Sequence, residues 1–188
     1  MGFYWNSIKI VPPSHETTKS KCLKGNPTLG NLSEFPLKYR LFLKVYQWRR
    51  IDPVPWTPLE KPLKDCRLVL VSSAGLVAVD QVPFDDSIRG GDPSIREIPF
   101  DVDVSTLRET HRSDAFDHKG IRQDPNLAFP ADRLREMADA GLIGSLNHRY
   151  WSIMGSITAP GRLIKKYVPL LMTKLVEDQV DIALLIPV

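Results

Sequence analysis

The stretch VDIALLIPV, residues 180–188, decides the fold. Ile182, Ala183, Leu184, Leu185 and Ile186 form an unbroken apolar run of strand length, the pattern of a central strand covered on both faces. An earlier stretch, CRLVLVSSAGLV (66–77), carries the same kind of run in Leu68, Val69, Leu70 and Val71. Two buried strands, the second preceded by a helical pattern, argue an α/β fold with a parallel sheet. In such sheets the chemistry sits just past the carboxyl ends of the strands. That directs attention to Ser72, Ser73 and Gly75, and to whatever follows Ile186. Small residues after the first strand let a ligand approach the backbone, which makes these three candidate substrate-binding residues. A plain tight turn leaving the sheet is the other reading.

The helices are read from spacing. In FPADRLREMADAGLIG (129–144), Pro130 starts the helix and Asp132 suits its first turn; Leu134, Met137 and Ala138 form the buried stripe, and Gly141 ends it. PGRLIKKYVPLLMTKLVEDQ (160–179) sets Leu163, Ile164, Tyr167, Leu171 and Leu175 on one face, with Pro169 expected to kink or divide it. LSEFPLKYRLFLKVYQW (32–48) aligns Leu37, Leu41, Val45 and Trp48. The following IDPVPWTPLEKPL has four prolines in 13 residues and reads as an extended connector. From Asp80 to Asn126 the chain is polar and irregular; SIREIPFDVD is expected to hold a short strand inside a long functional loop. Residues 1–30 show no periodicity and read as a loosely ordered extension, with 31–188 as a single α/β domain.

Composition is that of an ordinary globular protein, with proline enriched at 16 of 188 residues. A net charge of +3 argues weakly for nucleic acid. Its local excess, five basic residues and no acid in KYRLFLKVYQWRR (38–50), reads as the solvated face of a helix or as a patch for nucleic acid or an anionic membrane. Nothing else supports the patch, so neither nucleic acid nor membrane is expected as a partner. Cys22 and Cys66 are in no metal-ligand spacing and form no disulfide framework; Cys66, opening a buried strand, reads as a packed small hydrophobe. No signal pattern or membrane-length apolar run is present, and a cytoplasmic location is the default.

The densest polar cluster is THRSDAFDHKGIRQDP (110–125), with His111, Asp114, Asp117, His118 and Asp124. His111, Asp114 and Asp117 are candidates for substrate orientation or proton transfer. The competing reading has the aspartates bonding nearby loop amides. No spacing indicates a metal site, and no cofactor is implied. His148, beside Tyr150 and Trp151 and ahead of the small-residue turn at Gly155 and Ser156, either lines the same cleft or is a surface histidine stacked on aromatics. There is no phosphate loop, no nucleophile elbow and no evident nucleophile.

Taken in order, RRIDPVPWTPLEKPL, RLVLVSSAGLV, GDPSIREIP, HRSDAFDHKGIRQDPNLAFPADRLREMADAGLIG, YWSIMGSI and VDIALLIPV resemble selenoprotein B of the glycine, sarcosine, betaine and D-proline reductases, over roughly residues 37–188. The resemblance implies an oxidoreductase that reductively cleaves a C–N bond in a small amino-acid or methylated-amine substrate with thiol or selenol electrons, ending in a disulfide. It implies reductase partner subunits or further copies of the chain. It also implies a selenocysteine or cysteine directly after the strand that here reads ALLIPV, a position where a selenol is ionised at neutral pH and an ordinary thiol is mostly protonated. That position would be 189, so the expectation is a codon after Val188 that is UGA read as stop, and a sheet incomplete at its C-terminal end. A non-catalytic α/β binding or complex-docking subunit is the alternative.

Overall fold

The structure, a computed structural model, describes residues 33, 36–46, 50–55, 57–113 and 118–188. The chain divides into two compact units, one over 13–55 and a larger one holding 56–188. In the smaller unit, helix α1 (Leu37–Val45) starts at Pro36 and buries none of its residues. Trp48, the last member of the expected stripe, lies outside the described residues, as do Cys22 and residues 1–30.

The larger unit is built on β1 (Arg67–Ser72), five of whose six residues are buried. Successive side chains point to opposite faces, so both faces of this strand are covered. On one side β1 pairs in parallel with β5 (Ser145–Leu146) and β6 (Arg149–Ile153), two parts of one strand interrupted by a bulge at Asn147 and His148. On the other side it pairs in parallel with β7 (Ile182–Ile186), from Leu68↔Ile182 to Ser72↔Ile186. The outer edge of β6 carries β3 (Ile95–Pro99), antiparallel to it. The result is a mixed α/β fold with a five-stranded, mostly parallel sheet. A small antiparallel pair, β2 (Leu76–Val77) with β4 (Arg108–Glu109), continues beyond β1.

Helix α2 (His118–Gln123) and α3 (Ala131–Asp139) connect β1 to β5, and α4 (Val168–Glu177) connects β6 to β7. Leu134 of α3 and Leu175 of α4 join the β1 residues, Phe129, Tyr150 and Ile143 in one core. Gly141, at φ +70, ends α3: its N–H donates to Ala138 O, and the Leu142 N–H donates to Met137 O. This is the bonding of a left-handed cap, and glycine adopts it without cost. Gln179 does the same for α4 at φ +55, with its N–H on Val176 O and the Val180 N–H on Leu175 O. Pro169 stands where the stretch divides: α4 begins one residue before it and holds the proline in its first turn. Helical backbone runs from Gly161 to Glu177, and a wider π turn over Leu163–Tyr167 precedes the proline, which lacks an N–H for the ladder.

Two details depart from the sequence expectations. Among the described residues β7 has a partner on one side only, so it is an edge strand; Ile182 and Ala183 are buried while Leu185 is 45% exposed. An apolar run cannot by itself report whether a second neighbour covers it. The long segment 80–126 holds β3, β4, α2 and tight 3₁₀ turns. Asp124 Oδ1 accepts the Asn126 N–H at 3.0 Å, and Asp103 does likewise for Ser105 at 2.9 Å, so these aspartates serve the loop backbone.

At the amino ends of the strands the buried Asp178 carboxylate receives Arg149 through Nε at 2.7 Å and Nη2 at 2.6 Å, and Asn147 Nδ2 at 2.9 Å. Burial pushes the Asp178 pKa up, but the hydrogen bonds from Arg149 and Asn147 outweigh it and hold the carboxyl below its usual value.

Candidate functional site

The connection from β1 leads to β5 and β6 on one side, and the next connection returns across β1 to β7 on the other. The topology therefore reverses between β1 and β7, and a crevice outside their carboxyl ends is where open α/β sheets bind ligands. The Ser73 N–H extends the ladder by donating to Ile186 O at 3.0 Å. Its side chain then holds the next residues of the neighbouring strand, with the Val188 N–H donating to Ser73 Oγ at 2.9 Å. Gly155, just past β6, completes the junction. A methyl group there would lie 2.7 Å from both Ser73 O and Val188 O and 3.0 Å from His111 Nε2. The ends of three parallel strands and one imidazole thus meet at a point where no side chain fits.

Gly75 brings His111 to this point. At φ +65 its N–H donates to Ile153 O at 3.0 Å, while its carbonyl accepts the Thr110 N–H at 3.0 Å and Thr110 Oγ1 at 2.6 Å. A Cβ on Gly75 would lie 3.2 Å from the His111 backbone, so glycine permits the close approach. The Ser113 N–H donates to His111 Nδ1 at 3.2 Å. The neutral imidazole consequently carries its proton on Nε2, the nitrogen beside Gly155. Burial lowers the His111 pKa, with Glu109 partly opposing, so the neutral form is favoured.

His118 is the opposite case. Its Nδ1 lies 2.8 Å from Glu109 Oε2 and its Nε2 3.0 Å from Ser113 O. Both ring nitrogens face acceptors, which is the environment of an imidazolium; the hydrogen bond to Glu109 raises its pKa despite some desolvation. The Glu109 side chain, 3% exposed, also accepts the His111 backbone N–H and receives Arg122 Nη2 at 3.3 Å. One buried carboxylate therefore fixes both ends of the 111–118 segment. Glu109 and Arg122 also border a cavity of about 280 Å³.

Of the residues expected from sequence, Ser73 and His111 stand at the crevice and Gly75 directly behind His111. Ser72 is fully buried; its Oγ donates to Ala128 O at 2.6 Å and accepts the Ala74 N–H at 3.2 Å. Asp114 and Asp117 lie outside the described residues. Glu109 is not among the residues expected from sequence, where its position two residues before His111 is the available signal, and Gly155 stands there only as part of a small-residue turn. His148 precedes β6 and is thus at the opposite end of the sheet, where its exposed ring lies 3.9 Å from Asp178. Cys66 precedes β1, is fully buried in the core, and is likewise at that far end. Among the described residues no three His, Cys, Asp or Glu side chains group in a way that could hold a metal ion, and no helix is long and apolar enough to cross a membrane.

Comparison with known proteins matches residues 36–187 to the model of the family Glycine/sarcosine/betaine reductase selenoprotein B. The chain belongs to this family. Among its curated relatives is the D-proline reductase subunit gamma of Acetoanaerobium sticklandii, 32% identical over 136 residues, covering 72% of this chain and 54% of the relative. The Sarcosine reductase complex component B subunit beta of Peptoclostridium acidaminophilum is 28% identical over 144 residues, covering 77% of this chain and 33% of the relative. The Glycine reductase complex component B subunit gamma of Carboxydothermus hydrogenoformans is 30% identical over 117 residues, 61% of this chain and 26% of the relative. The aligned part thus spans about half or less of the length of each relative, and these relatives are subunits of reductases, two of them named as complex components. No solved structure gives a significant match.

Proposed function

We propose that this chain forms one wall of a crevice in which thiol or selenol electrons reductively cleave the C–N bond of an amino acid or methylated amine. The observation that supports this reading is the convergence of Ser73, Gly155, Val188 and His111 at the topological switch point of a family member. In the reaction the C–N bond is replaced by a C–H and an N–H bond, and two thiol or selenol groups give up their hydrogens and become one disulfide or selenenyl sulfide. In this reading His111, buried beside Gly155, helps to orient the substrate. Asp114 and Asp117 share that role or move a proton, and Ser73 lines the wall with Gly75 and the buried Ser72 behind it. Cys66 is buried at the far end of the sheet and Cys22 lies outside the described residues; in this reading the reducing group is a selenocysteine or cysteine following ALLIPV, or a thiol of a partner subunit. Consumption of reduced thiols fits the cytoplasm.

The test is dithiol-dependent cleavage of D-proline, sarcosine, glycine and betaine. The 188-residue chain is compared with a chain continued past Val188 through a selenocysteine or cysteine, each with and without partner subunits. Turnover should appear on continuation or complementation and fall on His111→Gln. Turnover by the 188-residue chain alone would overturn the assignment of the reducing group. Absence of turnover in every arm, with a stable complex formed, would favour the docking-subunit reading, which the exposed outer edge of β7 supports.

A further inference from the structure

A second feature lies at the same end of the sheet. The loop that leaves β6 through Gly155 reaches the start of the crossover helix at Gly161. Around that start, Arg89, Arg162, Lys165 and Lys166 line a cavity of about 550 Å³ together with Ala159 and Gly161. None of the four cations has an ion-pair partner among the described residues, although Lys166 Nζ lies 5.1 Å from the Tyr167 ring centroid. Several cations elsewhere in this unit are matched: Arg149 with Asp178, Arg135 with Asp132, Lys61 with Asp181. Four like charges with no ion-pair partner among the described residues repel each other around one concavity, and a bound anion lessens that cost.

The cavity is also built rather than left over. The Ala159 N–H donates to Gly90 O at 3.1 Å, and at Gly90, φ +88, an added Cβ would lie 2.6 Å from Ala159 Cβ. The turn carrying Arg89 is therefore packed against the loop leading to the helix. The π turn at Leu163–Tyr167, a rare geometry that recurs at functional sites, carries Lys165 and Lys166. Nothing lies within 4 Å of where a Cβ on Gly161 would stand, so the helix start is not crowded at this residue.

We propose that this cavity binds a small oxyanion, the carboxylate or phosphate group of a low-molecular-weight ligand. The proposal goes beyond the reductase reading and does not depend on it. It is tested on the full chain by following the amide signals of Gly90, Gly161 and Arg162 by NMR during titration with inorganic phosphate, with acetate, and with chloride at matched ionic strength. Saturable shifts are expected with phosphate, acetate or both, and which anion saturates identifies the group; chloride should not reproduce them. Affinity should fall roughly tenfold for each cation removed in Arg162→Gln and Lys165→Gln and be largely kept in Arg162→Lys. His111→Gln should leave it unchanged, which separates this site from the reductase crevice. Non-saturating shifts with both oxyanions, equal shifts with chloride, or indifference to Arg162→Gln would each overturn the proposal.

Discussion

The Val188 backbone N–H donates to Ser73 Oγ at 2.9 Å, so a side chain following one parallel strand holds the backbone following its neighbour. The two strands bracket the topological switch point, and this tie sets where the chain after β7 stands relative to His111.

Ser73 and Ser72 are adjacent, yet they should respond differently to substitution. Ser73→Ala removes the bond from the Val188 N–H and the longer Oγ contacts to Ile186 O and Val188 O, at a partly exposed site, and should cost about 1 kcal/mol, with faster hydrogen exchange at Val188. Ser72→Ala leaves the buried Ala128 carbonyl and Ala74 N–H without that partner and should cost about 1–3 kcal/mol. Denaturant unfolding of the two variants gives the comparison. Equal costs would show that burial at Ser72 is not what separates them.

Gly155 has no room for a side chain. Gly155→Ala should lose roughly 1–3 kcal/mol by overpacking against Ser73 O and Val188 O. Gly161→Ala, where nothing lies within 4 Å, should be neutral or stabilising. Thermal unfolding reads both, and a harmless Gly155→Ala would contradict the junction as described.

The two histidines flanking the 111–118 segment should titrate on opposite sides of the ordinary value of about 6.5. His118 is shifted up, so its contribution to stability is fully present below the unfolded value and is lost as pH rises through the folded one. His111 is shifted down, so its contribution is present above the unfolded value and is lost as pH falls through the folded one. Between the two folded values His118 is charged and His111 neutral. NMR titration of the imidazole C–H signals checks this, and Glu109→Gln should bring His118 back toward its ordinary value. Coincident titration of the two rings in the native chain would refute the assignment.

Gln179 pays the cost of a left-handed backbone at the end of α4. Gln179→Gly should stabilise the chain by up to about 1 kcal/mol, because glycine takes this conformation without a Cβ clash. An unchanged or lowered melting temperature would mean that the Gln side chain compensates.

The apolar runs at 66–77 and 180–188 announced the sheet, because several consecutive buried side chains need cover on both faces. The Pro130 to Gly141 signals placed α3 because helix termini leave backbone groups that particular residues satisfy. The site was legible only in parts. His111, Ser73 and Gly75 could be picked out by type and by position after a strand, and the aspartate at 124 could be read two ways until its hydrogen bond to Asn126 was seen. Glu109 looked like any loop carboxylate, since what distinguishes it is burial against two histidines and an arginine.

Local sequence determined the strands, the helices and their caps, because periodicity and backbone preference act over a few residues. The tertiary fold alone decided that β1 lies between β6 and β7. That order brings Gly155, Ser73, Val188 and His111, dispersed over more than a hundred residues, to a single junction. It also decided that His148 and Cys66 stand at the other end of the sheet. Strand direction and strand order are set by long-range pairing, and no local pattern encodes them.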